Sequence, residues 1–213
     1  MRPGDTGSRR SRVGSRVLVV AAGCLWACTT AAGAEDSMAT AEPHHHAEVQ
    51  TVRTLVAYSV PDLTLVRDDG RSVSLRRELD DGPPVILDFI YTTCTTVCPM
   101  SSRTLVQVQR LLGADGTRIH LASISIDPEQ DTPERLAAYA RQFHAGPQWR
   151  QYTGSLEASL EAQRSFGVYG GDKMGHNPVT LLRVAPGRDW VRFDGFVTAD
   201  ELVRELRPPQ AVR

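Results

Sequence analysis

The fold of this chain is decided by Leu87–Pro99, which reads LDFIYTTCTTVCP. The apolar run Val85–Tyr91 has the composition of a β-strand that is covered on both faces. Two cysteines follow it, Cys94 and Cys98, with three residues between them, and a stretch of helical period begins at Pro99. We therefore predict a buried strand that delivers two thiols to the start of a helix.

Strand and helix signals alternate along the rest of the chain. Before the buried strand, the turn Asp68-Asp69-Gly70 joins two runs of alternating apolar residues, which predicts an N-terminal β-hairpin. After it we predict, in chain order, a helix from Pro99, a strand at Ile119–Ile126, a helix from Thr132-Pro133, a short strand near Trp149, a helix from Ser155, strands at Val179–Val184 and Trp190–Phe196, and a helix from the capping box Thr198-x-x-Glu201. This order predicts an α/β, thioredoxin-like three-layer fold with a central mixed sheet.

The first 34 residues have the composition of an export leader. Five arginines precede the apolar run Val17–Cys28, and Ala32-Gly33-Ala34 fits a signal-peptide cleavage site. Two alternatives stay open: an uncleaved membrane anchor, and lipoprotein processing at Cys24. All three interpretations place the folded part outside the cytoplasm, in a periplasm or on the extracytoplasmic face of the membrane, either soluble or anchored.

The remainder divides into a tether, one domain and a tail. We predict that residues 35–54 are a flexible tether, in which His44-His45-His46 is either a solvated run or a weak metal site. Residues 55–207 form the predicted domain, and residues 208–213 form the tail.

Composition indicates a globular protein and argues against nucleic-acid binding. The chain has 213 residues, of which 41% are hydrophobic and 23% charged, as in an ordinary globular protein. Its formal net charge is −1, so no strong positive field recruits nucleic acid. Arginine supplies nearly all of the basic residues, and Lys173 is the only lysine.

The paired cysteines indicate metal or redox chemistry. A structural disulfide between Cys94 and Cys98 is the third interpretation, but a loop this short gains little stability from a cross-link. A helix N-terminus favours the thiolate form, and we expect that effect at Cys98. If the loop between the cysteines continues as a helical turn, both sulfurs lie on one face, and soft thiolates select Cu(I) or zinc.

His176 is the candidate third ligand. It stands just before the predicted strand Val179–Val184, after a loop that contains three glycines. In a thioredoxin-like fold this loop lies beside the cysteine turn, so we expect the imidazole to reach both sulfurs. We assign no site role to His120 and His144.

Two motifs, FIYTTCTTVCP (Phe89–Pro99) and SIDPEQDTP (Ser125–Pro133), occur together with the single His176 before a late strand. This combination resembles the Sco/SenC family, the exported copper proteins involved in assembling cytochrome c oxidase. The resemblance covers roughly residues 55–207. It implies a thioredoxin-like fold in which Cys94, Cys98 and His176 bind one copper ion per chain, as Cu(I) or Cu(II). It also implies a partner, which is either the copper-site subunit of the oxidase or another exported copper or thiol protein.

Three functions follow from these residues. The first is a metallochaperone that delivers copper to the oxidase site or prepares the thiols of that site. The second is a thiol-disulfide oxidoreductase that uses Cys94 and Cys98 as catalytic residues on exported partners. The third is peroxide reduction, since Tyr91-Thr92-Thr93-Cys94 faintly resembles a peroxidase motif. We expect Asp127 and Asp131 to shape the turn and cap the helix that starts near Pro133, with contacts to a partner as the alternative.

Overall fold

The structure is a computed structural model that describes residues 51–207. The predicted leader, almost all of the predicted tether with its three histidines, and the predicted tail lie outside the described residues. Within residues 51–207, eight strands and five α-helices follow one another. The strands are β1 (Val52–Val56), β2 (Thr64–Arg67), β3 (Ser72–Ser74), β4 (Val85–Ile90), β5 (His120–Ser125), β6 (Trp149–Thr153), β7 (Val179–Arg183) and β8 (Trp190–Asp194). The helices are α1 (Leu75–Asp80), α2 (Val97–Leu112), α3 (Pro133–Gln142), α4 (Leu156–Ser165) and α5 (Ala199–Leu206).

All of these strands belong to one mixed sheet. Its order is β1-β8-β7-β4-β5-β6-β2-β3. The centre is parallel, with β5 between β4 and β6, while β7, β8 and β1 add antiparallel strands on one side. On the other side, β2 and β3 pair antiparallel across the Asp68–Arg71 turn. The predicted α/β, thioredoxin-like fold with a mixed sheet is confirmed.

Strand β4 is buried on both faces, as its apolar sequence predicts. All six of its residues are buried. Val85, Leu87 and Phe89 pack on one face with α1 and α4, while Ile86 packs on the other face with α2 and α5. Burial of this apolar surface on both sides fixes β4 at the centre of three layers, so the residues that follow it have a rigid base.

Three helices begin where the sequence predicts. Thr132 caps α3, Ser155 caps α4 and Thr198 caps α5, each through its side-chain oxygen. In the last case the Glu201 carboxylate accepts a hydrogen bond from the Thr198 backbone at 2.8 Å, which completes the capping box.

The structure differs from the sequence-based predictions at two boundaries. Helix α2 begins at Val97 with Thr96 as its N-cap, so Pro99 is its third residue and not its first. Strand β1 begins at Val52, three residues before the predicted domain boundary at residue 55. The side chains of β1 are mostly exposed, and for that reason no alternation of apolar and polar residues marks it.

Candidate dithiol site

The loop between β4 and α2 is held by the buried carboxylate of Asp131. Thr92 donates its backbone N–H to both carboxylate oxygens, at 3.1 and 3.2 Å, and its hydroxyl donates at 2.5 Å. The Ser125 hydroxyl, at the end of β5, donates to the same carboxylate at 2.6 Å. Asp131 therefore joins the loop that carries Cys94 to the end of the neighbouring strand. The prediction that Asp127 and Asp131 cap the helix near Pro133 is wrong, because Thr132 caps α3.

Cys94 and Cys98 are not joined by a disulfide, and their contact is direct. The backbone N–H of Cys98 donates to the Cys94 sulfur, with 3.4 Å between the heavy atoms. Burial raises the pKa of the Cys94 thiol. The opposing effect comes from hydrogen bonds of the Cys98 and Thr96 backbone N–H groups and from the side chains of Cys98 and Tyr91. This effect is larger than that of burial and lowers the pKa of Cys94 to about 7. Near neutral pH, Cys94 is therefore the thiolate of the pair.

The prediction that Cys98 carries the thiolate is wrong. Its side chain is only 1% exposed, and this burial raises the pKa of the Cys98 thiol above its ordinary value. The physical reason is the start of α2: Cys98 lies within the first helical turn, while Cys94 lies outside it, where the free N–H groups point. The helix N-terminus does stabilise a thiolate, but on the earlier cysteine.

Tyr91 completes the surroundings of Cys94. It follows β4 directly, it is buried, and it packs in the same cluster as Cys94. Burial and the neighbouring Cys94 raise the pKa of Tyr91 to about 12, so it is neutral at physiological pH. Sequence reasoning missed this role, because a tyrosine that ends an apolar strand carries no separate signal.

His176 lies beside the end of β4. Its ring is half-buried, and its Nε2 atom is 3.2 Å from the Phe89 carbonyl oxygen. A carbonyl only accepts, so Nε2 carries the hydrogen, and the lone pair of the neutral ring is on Nδ1. Burial lowers the pKa of His176, although the hydrogen bond to Phe89 opposes this. A neutral imidazole with one nitrogen fixed by a backbone carbonyl is the form in which histidine binds metals.

The three predicted ligands are not brought together to the same extent. Cys94 and Cys98 are in contact, whereas His176 bonds to Phe89 two residues before Tyr91. Among the described residues, no three His, Cys, Asp or Glu side chains converge closely enough to hold a metal ion. The donor set itself, two sulfurs and a neutral imidazole, has the soft chemistry that copper prefers. The three-ligand site therefore stays a prediction.

The loop that carries His176 is attached to the body of the domain by the chain's only lysine. Lys173 begins a short 3₁₀ turn, Lys173–Gly175, and its carbonyl accepts the His176 backbone N–H at 3.2 Å. Its ammonium group lies 2.7 Å from the buried carboxylate of Asp127. Asp127 thus fixes the loop before β7, in addition to the turn that we predicted for it.

Within residues 51–207, the other histidines and the nearby methionines have no part in this site. His120 lies between the Glu78 carbonyl and the Tyr152 hydroxyl, each at 2.9 Å. His144 is exposed at the end of α3 and has a positive φ of 52°. Met100 and Met174 are exposed on the surface.

The fold and the site define a thioredoxin-like dithiol protein in which a thiolate follows the central strand. The SCO1/SenC family profile matches residues 53–205. The chain therefore belongs to the SCO1/SenC family.

Individual relatives agree with this assignment. The SCO1 protein homolog of Bacillus subtilis is 32% identical over 120 residues, which are 55% of this chain and 61% of that protein. The chain thus spans less than two thirds of this relative. The structure of Bradyrhizobium japonicum ScoI with copper bound is similar with a TM-score of 0.59 and 28% identity, over 69% of this chain and 96% of the other.

A second similar structure is that of BsSco, a member of the Sco family of cytochrome c oxidase assembly proteins in which a disulfide switch is identified. Its TM-score is 0.61 and its identity 26%, over 73% of this chain and 95% of the other. Between residues 51 and 207, no helix has both the length and the apolar character needed to cross a membrane.

Proposed function

We propose that this protein binds one copper ion through Cys94, Cys98 and His176 and passes it to the copper site of a cytochrome c oxidase. The observation that carries the proposal is the pair of neighbouring thiols after β4, one of which has a lowered pKa, beside a loop that presents a neutral imidazole. The copper-bound structure of B. japonicum ScoI supports the choice of metal. We further propose that the domain works outside the cytoplasm, behind the export leader.

The residues have distinct tasks in this function. Cys94 is the thiolate near neutral pH, so it is the first sulfur available to a soft ion. Cys98 has a thiol with a raised pKa, and it releases its proton only as copper binds. His176 offers Nδ1, while the bond from Nε2 to the Phe89 carbonyl orients the ring. A partner that offers its own sulfur or imidazole takes the ion by ligand exchange.

A second function rests on the unequal thiols. In a thiol-disulfide exchange, the Cys94 thiolate attacks a partner disulfide and releases one partner sulfur as a thiolate. The Cys98 thiol then gives its proton to the released partner thiolate and attacks Cys94, which forms the Cys94–Cys98 disulfide and releases the second partner sulfur. An external dithiol must reduce this disulfide before the next cycle. The disulfide switch identified in BsSco makes this the alternative to test.

Copper titration of the reduced chain separates the two functions. We expect one copper per chain and a thiolate-to-Cu(II) charge-transfer band, both strongly weakened in Cys94→Ala and Cys98→Ala. His176→Ala should retain weak Cu(I) binding by two sulfurs and lose the Cu(II) band. If no variant changes copper binding and a Cys94–Cys98 disulfide cycles readily, the oxidoreductase is the function. An unchanged spectrum in His176→Ala removes that residue from the site.

A further inference from the structure

An open groove of about 650 Å³ runs along α2 and ends at Cys94. One wall is the exposed face of α2, and the other is the end of α3. Cys94 lines this groove, while Cys98 does not. The thiol that faces the groove is therefore the one outside the helix, and a molecule in the groove meets Cys94 first.

The groove has a positively charged rim. Arg103 and Arg110 lie on it, two helical turns apart on the same face of α2, with Gln107 between them. His144 lies on the opposite wall, and no Asp or Glu is among the lining residues. Both arginines are exposed, and neither forms an ion pair within residues 51–207.

Arg103 and Arg110 differ in this respect from the arginines that are paired within the chain. Arg53, Arg67 and Arg192 each bind a carboxylate of the same chain within 3 Å, through bonds of 2.6, 2.5 and 2.7 Å. Their charges are neutralised within the fold. The charges of Arg103 and Arg110 are free to act on a second molecule.

The floor of the groove is apolar. Pro99, Val106 and Phe143 line it, and all three are only half-buried. An apolar floor beneath a charged rim suits an extended peptide segment, because side chains cover the floor while carboxylates reach the guanidinium groups.

The opposite side of the dithiol site has the opposite charge. A cavity of about 320 Å³ beside His176 is lined by Asp127, Glu129 and Asp172, and Lys173 neutralises only the first of these. An acidic segment is repelled from the His176 side and attracted to the α2 side. The charge pattern therefore sets which face of the site such a partner approaches.

We propose that the groove along α2 is the docking site for an acidic segment of the partner protein. Arg103 and Arg110 bind its carboxylates and bring its sulfur to Cys94. The inference rests on the proposed function only in that Cys94 exchanges copper or a disulfide with a partner.

Thiol-disulfide exchange with charged peptides tests the groove without copper. The probes are two peptides of equal length with one cysteine each, activated as a mixed disulfide with 2-thiopyridine and flanked by acidic or by basic residues. The Cys94 thiolate attacks the peptide sulfur, so that a Cys94–peptide disulfide forms and one 2-thiopyridone is released and measured by its absorbance. The full chain carries Cys24→Ser and Cys28→Ser, and the same chain with Cys94→Ser is the blank.

We expect the acidic peptide to react about tenfold faster than the basic peptide at low ionic strength. The ratio should approach one as salt shortens the screening length from about 30 Å to about 3 Å. Arg103→Glu with Arg110→Glu should abolish or invert the preference. Arg118→Glu is the matched control, because this exposed arginine precedes β5, at the end of the sheet opposite to the cysteines, and it should keep the preference.

Equal rates for both peptides, or a preference that persists in the double variant, would overturn the proposal. Copper titration of the same variants separates it from the proposed function. If the chain binds copper but shows no preference for the acidic peptide, only the proposed docking site is refuted. If the chain shows the preference but binds no copper, the metallochaperone function is refuted and the docking site stands.

Discussion

Asp88 places a carboxyl group in the middle of buried β4, where a charge is costly. One oxygen accepts the Ser123 hydroxyl at 2.5 Å, and the other has no partner among the described residues. Burial raises the pKa of Asp88 to about 7, against the hydrogen bond from Ser123. An unfolded aspartate loses its proton at a pH of about 4. In the native state the Asp88 carboxyl therefore stays protonated up to a pH of about 7.

This proton makes stability fall as pH rises. Between those two pH values the native state binds more protons than the unfolded state, so the free energy of unfolding decreases with pH through that window. Asp88→Asn mimics the protonated side chain, and we expect a Tm equal to that of the wild type near pH 4 and about 5 °C higher near pH 8. Thermal unfolding across this range measures it. An identical pH slope in the variant would contradict the raised pKa.

The two thiols differ in access as well as in charge. Cys94 lines an open groove, whereas the Cys98 side chain is 1% exposed within α2. In the metal-free chain with Cys24→Ser and Cys28→Ser, iodoacetamide should modify Cys94 at least about tenfold faster than Cys98, which reacts only through local opening. Mass spectrometry of peptides at timed points gives both rates. Equal rates would mean that the first turn of α2 opens readily.

At the scale of elements, the β4–α2 loop depends on the Asp131 clamp. Asp131→Ala leaves the Thr92 and Ser125 donors without their acceptor in a buried place, so we expect a loss of about 3 kcal/mol in unfolding free energy. Denaturant unfolding measures it. Thr92→Val removes only one hydroxyl donor and should cost about 1 kcal/mol. A similar small loss in both variants would show that the loop is held by other contacts.

The His176 loop depends in the same way on Lys173. Lys173→Ala leaves the Asp127 carboxylate buried and unpaired, so we expect faster hydrogen exchange in residues 169–177. The change in global stability should stay below about 1 kcal/mol, because the lysine side chain is partly exposed. Lys173→Arg keeps a cation within reach of Asp127 and should restore slow exchange. Slow exchange in Lys173→Ala would mean that the ion pair does not hold this loop.

At the scale of the whole molecule, the sequence predicts the elements that are periodic and buried. The apolar run of β4 and the caps at Thr132, Ser155 and Thr198 are local signals, and the structure has them where they were expected. The pairing of Lys173 with Asp127 is not local, because 46 residues separate them and only the fold brings them together.

The error at the cysteines has a similar origin. The position of Pro99 suggested where α2 begins, and the observed start two residues earlier exchanges the roles of Cys94 and Cys98. A helix boundary is uncertain by one or two residues from sequence alone, while the direction in which free N–H groups point depends on its exact position. The contact between the two cysteines was therefore predictable from the sequence, but which of them is the thiolate was not.

The order of strands in the sheet places the edge strand β1 away from the strand that carries the dithiol site. Strand β1 pairs only with β8, at the edge farthest from β2 and β3, and most of its side chains are exposed. A chain that begins at Ala57 loses this pairing, and we expect it to lose about 1–3 kcal/mol in unfolding free energy. The dithiol site rests on β4, which is separated from β1 by β8 and β7, so copper stoichiometry should equal that of a chain that begins at Thr51.

Denaturant unfolding and copper titration of these two truncated chains test both halves of the prediction. A loss of copper binding in the shorter chain would mean that the edge of the sheet supports the site, and an unchanged stability would mean that β1 contributes nothing to the fold.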